Sequence, residues 1–130
     1  MREIIFRGKL KVDNGEHKKG DWVFGDLVRI KDGEKTSTMI YGFGEVDPST
    51  VAQYTGLTDQ NGTKIFEWDI IQHDFGSDQI GVQYAVVEYD SKYASFMINP
   101  LYDWMFCEKN DCEVIGNIHD NPESMKGAGQ

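Results

Sequence analysis

Cysteine and proline are scarce in this sequence, which has two cysteines and three prolines among 130 residues. Cys107 and Cys112 are spaced as half of a zinc site but are not followed by a second pair of Cys or His ligands, so we expect reduced thiols, one or both packed as small apolar groups. The alternative is a metal site that also uses His119. No apolar run approaches the roughly 18 residues of a membrane span, and the N-terminus has no signal-peptide stretch. The sequence predicts a cytoplasmic protein without membrane contact.

Cationic residues are also fewer than anionic ones. Lys and Arg total 13 against 22 Asp and Glu, so the net charge is 13 − 22 = −9. Affinity for duplex nucleic acid comes mainly from cations placed on phosphates, so this balance argues against a general duplex binder. Hydrophobic residues make up 39% of the chain, which is enough for a chain of this length to bury its own core.

Long helical patterns are absent as well. The 14 glycines separate short runs of β-branched and aromatic residues throughout the chain, which is typical of strands and turns. Apolar residues alternate with a period of two over residues 22–30, as in half-buried strands. One or two short helices are predicted. One begins at Asp47 and Pro48, and the other covers residues 100–107.

The predicted fold class is therefore mainly β, with antiparallel strands arranged in two small lobes. The first lobe covers residues 1–47 and the second covers residues 48–122. In the second lobe a turn, a short apolar strand, an acidic bend and a longer strand follow one another. This order resembles the opening of an SH3-like barrel, although such a shape does not determine function. Residues 123–130 are expected to form a frayed tail.

Turn and bend residues of the second lobe are interpreted as structural. Gly beside Asn supplies the positive φ values of a hairpin turn. A carboxylate at a bend accepts hydrogen bonds from backbone donors that a sheet leaves unpaired. A late Gly allows close packing of a buried strand, and the Asn after it can pair with loop backbone. These residues are Asn61, Gly62, Glu67, Trp68, Asp69, Gly116 and Asn117.

The functional motifs of common enzymes do not occur in the sequence. It has no nucleophile elbow, Cys-His signature or P-loop, so we expect no enzyme and assign no catalytic residue and no cofactor. Aromatic residues are more numerous than a core of this size requires, and surplus aromatics are enriched at protein interfaces. We therefore expect a protein-interaction or self-assembling module that acts by non-covalent binding. The candidate interface residues are Tyr84, Tyr89, Tyr93, Tyr102 and Trp104.

The alternative function is binding of single-stranded nucleic acid by a basic–aromatic hairpin over residues 9–24. A basic patch with aromatics holds a single strand by stacking and phosphate contact. The acidic balance of the chain favours a solvated hairpin tip instead. The candidate residues are Lys9, Lys11, Lys18, Lys19 and Trp22. Binding that weakens steeply with salt separates this alternative from a protein module.

Three stretches together resemble the YopX family of phage- and prophage-encoded proteins. They are IFRGK with WVFGDL near the start, VAQYTGLTDQNGTKIFEWDII over residues 51–71, and VIGNIHDNPE over residues 114–123. The family usually has Gly where this chain has Trp68. This Trp implies that the bend has an ordinary backbone, or that the indole covers an apolar patch. The resemblance implies a mainly β accessory protein of a phage or prophage, with a host or phage protein as partner and no established activity.

Overall fold

The computed structural model describes residues 3–74, 82–99, 103–104 and 112–122. Within those residues the chain is built from antiparallel β-strands in three sheets, with one 3-10 helix. The mainly β prediction is confirmed. The chain divides into two compact units, Met1–Tyr54 and Thr55–Gln130, whereas the sequence predicts a boundary near residue 47.

The first unit contains two antiparallel sheets with strand orders β2-β1-β6 and β3-β4-β5. Its strands are β1 (Phe6–Lys9), β2 (Trp22–Gly25), β3 (Leu27–Asp32), β4 (Lys35–Ile40), β5 (Gly44–Glu45) and the beginning of β6 (Ala52–Thr58). Leu10, Val23, Ile40 and Val46 form its buried core. Burial of these apolar side chains is the main force that holds the unit together.

A 3-10 helix over Pro48–Thr50 precedes β6 in the first unit. The Asp47 carboxylate accepts hydrogen bonds from the Ser49 amide at 3.0 Å and the Ser49 hydroxyl at 2.8 Å. Pro48 stands in the first turn, where its missing N–H leaves no intrahelical bond unmade. The helical turn predicted at Asp47 and Pro48 is confirmed.

The second unit is built on a five-stranded antiparallel sheet with the order β11-β10-β9-β8-β12. Its strands are the rest of β6, then β7 (Lys64–Phe66), β8 (Asp69–Asp74), β9 (Val82–Asp90), β10 (Ser95–Asn99), β11 (Asp103–Trp104) and β12 (Cys112–Asn117). Its buried core consists of Ile65, Ile71, Ala85, Val87, Ile98 and Cys112. Alternate residues of β9 enter this core, because strand side chains point to opposite faces in turn.

Two expectations from the sequence are wrong in this unit. Residues 103–104 pair with Ile98 and Met97 as strand β11, so they are not helical; the rest of residues 100–107 lies outside the described residues. Periodicity alone does not separate a short apolar strand from a helical turn. Cys112 is buried and disulfide-bonded rather than a reduced thiol. Cys107 and residues 123–130 also lie outside the described residues.

Candidate functional site

Strands β1 and β2 carry cationic and aromatic side chains on one face of their sheet. Arg7 lies opposite Phe24, and Lys9 lies opposite Trp22. Directly opposed residues and residues two apart share a face, so all four side chains stand together. Arg7 Cζ lies 4.7 Å and Lys9 Nζ 5.2 Å from the centre of the Trp22 ring, within cation–π range. We call Arg7, Lys9, Trp22 and Phe24 the basic–aromatic face.

An open groove of about 420 Å³ adjoins Lys9 in the first unit. It is lined by Lys9, Leu10, Lys11, Lys19, Gly20, Asp47 and Pro48. The β1–β2 loop is held by its own acids, since the Lys19 amide donates to Asp13 Oδ1 at 2.7 Å and the Lys18 amide to Asp21 Oδ2 at 3.0 Å. Three of the four lysines predicted for this region therefore line one groove, and Lys18 is exposed outside its lining.

Charge is unevenly divided between the two units. The first unit, residues 1–54, contains nine Lys or Arg and nine Asp or Glu, a balance of 9 − 9 = 0. The second, residues 55–130, contains four cationic and thirteen anionic side chains, so 4 − 13 = −9. The whole net charge of the chain therefore belongs to the second unit, and the groove lies in a unit without net charge.

Exposed aromatic rings cluster at the turn that joins β9 to β10. Tyr89 is 48% exposed and Tyr93 is 56% exposed. The Tyr89 ring packs edge to face on its cross-strand neighbour Phe96, with ring centres 5.3 Å apart. Lys92 Nζ lies 5.4 Å from the centre of the Tyr93 ring. We call Tyr89, Tyr93 and Phe96 the aromatic hairpin end.

Three further residues, Tyr84, Tyr102 and Trp104, were predicted for this interface. Tyr84 stands five positions before Tyr89 on β9, so the two side chains point to opposite faces of the sheet. Trp104 lies in β11 opposite Met97, and Tyr102 lies outside the described residues. Of the five predicted interface residues, Tyr89 and Tyr93 lie at the aromatic hairpin end, and Phe96 joins them through the strand register. The predicted interface itself stays a prediction.

The Asp59 carboxylate organises the turn that contains Asn61 and Gly62. Asp59 is 2% exposed. Its Oδ1 accepts hydrogen bonds from the amides of Asn61 and Thr63, and its Oδ2 accepts one from the Val114 amide, each at 2.9 Å. Burial raises the pKa of Asp59, but the backbone donors at Val114, Thr63 and Asn61 outweigh it, so the pKa lies below its ordinary value. Gly62 has a φ of 82°, which confirms the predicted turn.

Sequence reasoning missed Asp59, although a signal for it was present. An Asp two residues before Asn-Gly is a common start of a turn in which the side chain accepts backbone hydrogen bonds. Arg7 was also missed, because its position beside Trp22 depends on the pairing of β1 with β2.

Trp68 occupies the bend between β7 and β8 with a φ of 70°. This is the left-handed region that glycine favours, so the first of the two alternatives, an ordinary backbone, is wrong. The second, an indole that covers an apolar patch, stays a prediction. The Trp68 amide donates to the Val87 carbonyl at 2.7 Å, and the Trp68 carbonyl accepts from the Ile118 amide at 3.0 Å. These two bonds hold the residue in its unfavourable conformation.

The two acids that flank Trp68 differ in their surroundings. Asp69 is 2% exposed, and its Oδ2 accepts a hydrogen bond from the Phe66 amide at 2.8 Å. This confirms the predicted role of a carboxylate at the bend. Glu67 is half-buried.

The loop after β12 is closed by Asn117 and Asn121. Asn117 Oδ1 accepts hydrogen bonds from the amides of His119 at 3.0 Å and Asp120 at 2.9 Å. A Cβ atom on Gly116 would lie 2.9 Å from Cγ of Asn121, closer than real side chains approach. The predictions of close packing at Gly116 and of backbone pairing by Asn117 are confirmed.

In the described part of the chain, no group of three or more His, Cys, Asp or Glu side chains could hold a metal ion. Cys107 of the alternative metal set lies outside that part. In the same residues, no helix is both long and apolar enough to span a membrane.

The described residues define a small, mainly β protein with exposed aromatic rings at one hairpin and a lysine-lined groove in its first unit. The chain belongs to the YopX protein family, whose family model matches residues 3–126. Its fold is similar to that in the crystal structure of protein EF1440 from Enterococcus faecalis, with a TM-score of 0.54 and 22% identity over 96% of this chain and 99% of that one. No curated protein matches the sequence.

Proposed function

We propose that this chain is a phage-type accessory protein that acts in the bacterial cytoplasm by non-covalent protein binding, and that it self-associates through the aromatic hairpin end. The exposure of Tyr89 and Tyr93, 48% and 56%, is the observation that supports the contact surface. Tyrosine rings bury a large area at low entropic cost, which is why interfaces are enriched in them. Family membership supports the phage-type assignment. The proposal includes no enzymatic activity.

Sheet edges support self-association as well. In the described strands of the second unit, β11 and β12 stand at the two ends of the sheet. The outer side of β12 is already bonded in part, since the Val114 amide donates to Asp59 and the Cys112 carbonyl accepts from the Gln60 amide. We therefore propose β11 as the end strand that meets another chain. β11 pairs with β10, which carries Phe96 of the aromatic hairpin end. The SH3-like barrel predicted for residues 48–122 stays a prediction, since these strands have the order of an open sheet.

Charge determines how the proposed contact responds to salt. The second unit carries the entire net charge of −9, so two copies repel one another when their second units approach. Raising the salt from about 0.1 M to about 1 M shortens the Debye length from about 10 Å to about 3 Å. Self-association through Tyr89 and Tyr93 therefore strengthens with salt.

Sedimentation velocity at these two salt concentrations tests the proposal. We expect the wild-type chain to shift towards a dimer or larger species at high salt. A Tyr89→Ser/Tyr93→Ser variant should stay monomeric at both concentrations. The matched control is Tyr41→Ser, because Tyr41 is 73% exposed and belongs to the first unit; this variant should associate as the wild type does. A wild type that is monomeric throughout, or an equal loss in the control, contradicts the proposal.

A further inference from the structure

The groove of the first unit has the size and charge of a ligand site. Its volume of about 420 Å³ falls within the roughly 300–1,000 Å³ typical of small-molecule pockets. Lys9, Lys11 and Lys19 line it together with the buried side chain of Leu10. Three lysine residues that line one concavity are suited to an anionic ligand, because their flexible side chains can direct ammonium groups towards it, and phosphate is an anion that lysines commonly bind.

We propose that the groove and the basic–aromatic face together bind a short segment of single-stranded nucleic acid. Phosphates of the strand contact the ammonium groups of Lys9, Lys11 and Lys19. An unpaired base stacks on the ring of Phe24, which is 49% exposed and shares the face of Lys9. Stacking on an exposed ring combined with phosphate contacts is how proteins hold single strands without reading their sequence.

Trp22 and Arg7 have a supporting role in this arrangement. Arg7 is 7% exposed and lies over the Trp22 ring, as Lys9 does. The ring therefore holds two cations beside the groove by cation–π attraction rather than offering its own face to a base. Phe24 lies two residues further along β2, on the same side of the sheet, and its exposed ring is the surface that we assign to stacking.

Carboxylates near the groove do not neutralise the positive charge of its three lysines. The groove lining contains one carboxylate, that of Asp47, beside three lysines, so the charge of the lining residues is 3 − 1 = +2. Lys11 Nζ lies 3.8 Å from Glu45 Oε2, with the lysine side chain 49% exposed, and exposed ion pairs of this kind exchange readily for another anion. Within the first unit, residues 1–54, cationic and anionic side chains are equal in number, so the unit that holds the groove has no acidic excess of its own.

Fluorescence anisotropy with a labelled oligothymidylate tests the site in the intact chain. With three phosphate contacts, the logarithm of the affinity should fall with a slope of about −2 against log salt, so raising salt fourfold weakens binding about twentyfold. A Lys11→Gln/Lys19→Gln variant retains one contact, and the same change should weaken its binding only about threefold. Phe24→Ser should lose about tenfold in affinity, since it removes one stacked base.

The matched control removes the same charge from the same unit. In Lys31→Gln/Lys35→Gln, both replaced lysines are exposed on the β3–β4 hairpin, and the slope should stay near that of the wild type. Absence of binding at about 50 mM salt overturns the proposal, as does an equal change of slope in the control. Equal affinity for a duplex, unchanged affinity in Phe24→Ser, or full competition by equimolar thymidine monophosphate overturns the assignment to a single strand. Thermal melting of each variant confirms that the fold is intact.

Discussion

At the scale of single residues, the Asp59 carboxylate is the hydrogen-bond acceptor for several backbone amides. Its two oxygens accept hydrogen bonds from three amides, and one of these belongs to Val114, which is 55 residues away in the sequence. Hydrogen bonds to an ionised acceptor are stronger than neutral ones, and a buried carboxylate without such bonds would be costly. Asp59 therefore ties the turn at Asn61 to strand β12.

Replacing Asp59 by Asn should destabilise the protein by about 2 kcal/mol at neutral pH, because the amide cannot accept bonds on both sides. The pKa of Asp59 is lower in the folded state than its ordinary value of 3.8. Its contribution is therefore fully present above that value and is lost as the pH falls through the folded pKa. Urea unfolding of both proteins between neutral pH and about pH 2 measures this, and the difference between them should shrink on acidification.

The control for this prediction is Asp32→Asn, since Asp32 is exposed at the end of β3. Its unfolding free energy should match the wild type within about 0.5 kcal/mol at every pH, as is usual for surface substitutions. A pH-independent deficit in Asp59→Asn would show that the charge of Asp59 is not what stabilises the turn.

Trp68 yields a prediction about backbone strain. A side chain at a φ of 70° costs roughly 1–2 kcal/mol relative to glycine, which is partly offset because glycine loses more chain entropy on folding. Trp68→Gly should therefore be about 1 kcal/mol more stable than Trp68→Ala, although both lose the indole. Chemical denaturation of the two variants checks the sign.

The same pair of substitutions at Lys31 is the control for Trp68. Lys31 is an exposed residue of strand β3, paired with Thr36, and is not among the residues with positive φ. There glycine should be less stable than alanine by about 0.5–1 kcal/mol, the reverse of the order at Trp68. The same order at both positions would contradict the strain argument.

At the residue scale, a conformation could be predicted from the sequence when neighbouring residues determine it. The turn at Gly62 and the carboxylate of Asp69 were predicted, because neighbours in the sequence determine them. The conformation of Trp68 was not, since it is held by backbone hydrogen bonds to Val87 in strand β9 and to Ile118 in the turn after β12. The resemblance to a family with Gly at this position was a usable signal for positive φ, but the side chain argued against it.

At the scale of elements, the end of β12 depends on a fit between Gly116 and Asn121. Gly116→Ala should cost roughly 1–3 kcal/mol, because its Cβ would lie 2.9 Å from Asn121 Cγ. Asn121→Ala removes the opposing atoms, so Gly116→Ala should cost less in that background. A double-mutant cycle from denaturant unfolding measures this coupling. Additive single effects would mean that the strand, and not the side-chain contact, opposes the methyl group.

Strand alternation explains why the predicted aromatic interface was divided. Tyr84 and Tyr89 are five residues apart, and an odd separation on one strand always places two side chains on opposite faces. This much could have been predicted once β9 was recognised as one long strand. The partnership of Tyr89 with Phe96 requires the hairpin register, which depends on where the turn begins.

At the scale of the whole molecule, the mainly β class was predictable and the sheet connections were not. Alternation and glycine turns indicate strands locally. By contrast, the pairing of β1 with both β2 and β6, and of β12 with β8, joins distant segments that carry no local signal. The same holds for charge, since the total net charge of −9 is the sum of one neutral unit and one acidic unit. The salt responses predicted for the two units therefore have opposite signs.

Strand β6 has a consequence for how this molecule can be divided. It runs from Ala52 to Thr58 and passes through the boundary between Tyr54 and Thr55. Ala52 and Gln53 pair with β1, whereas the Thr55 hydroxyl donates to the Ile65 carbonyl at 2.8 Å. Cleaving the chain at this boundary would leave each half with only part of strand β6. Recombination between relatives should therefore tolerate crossovers before residue 52 or after residue 58 better than crossovers within β6.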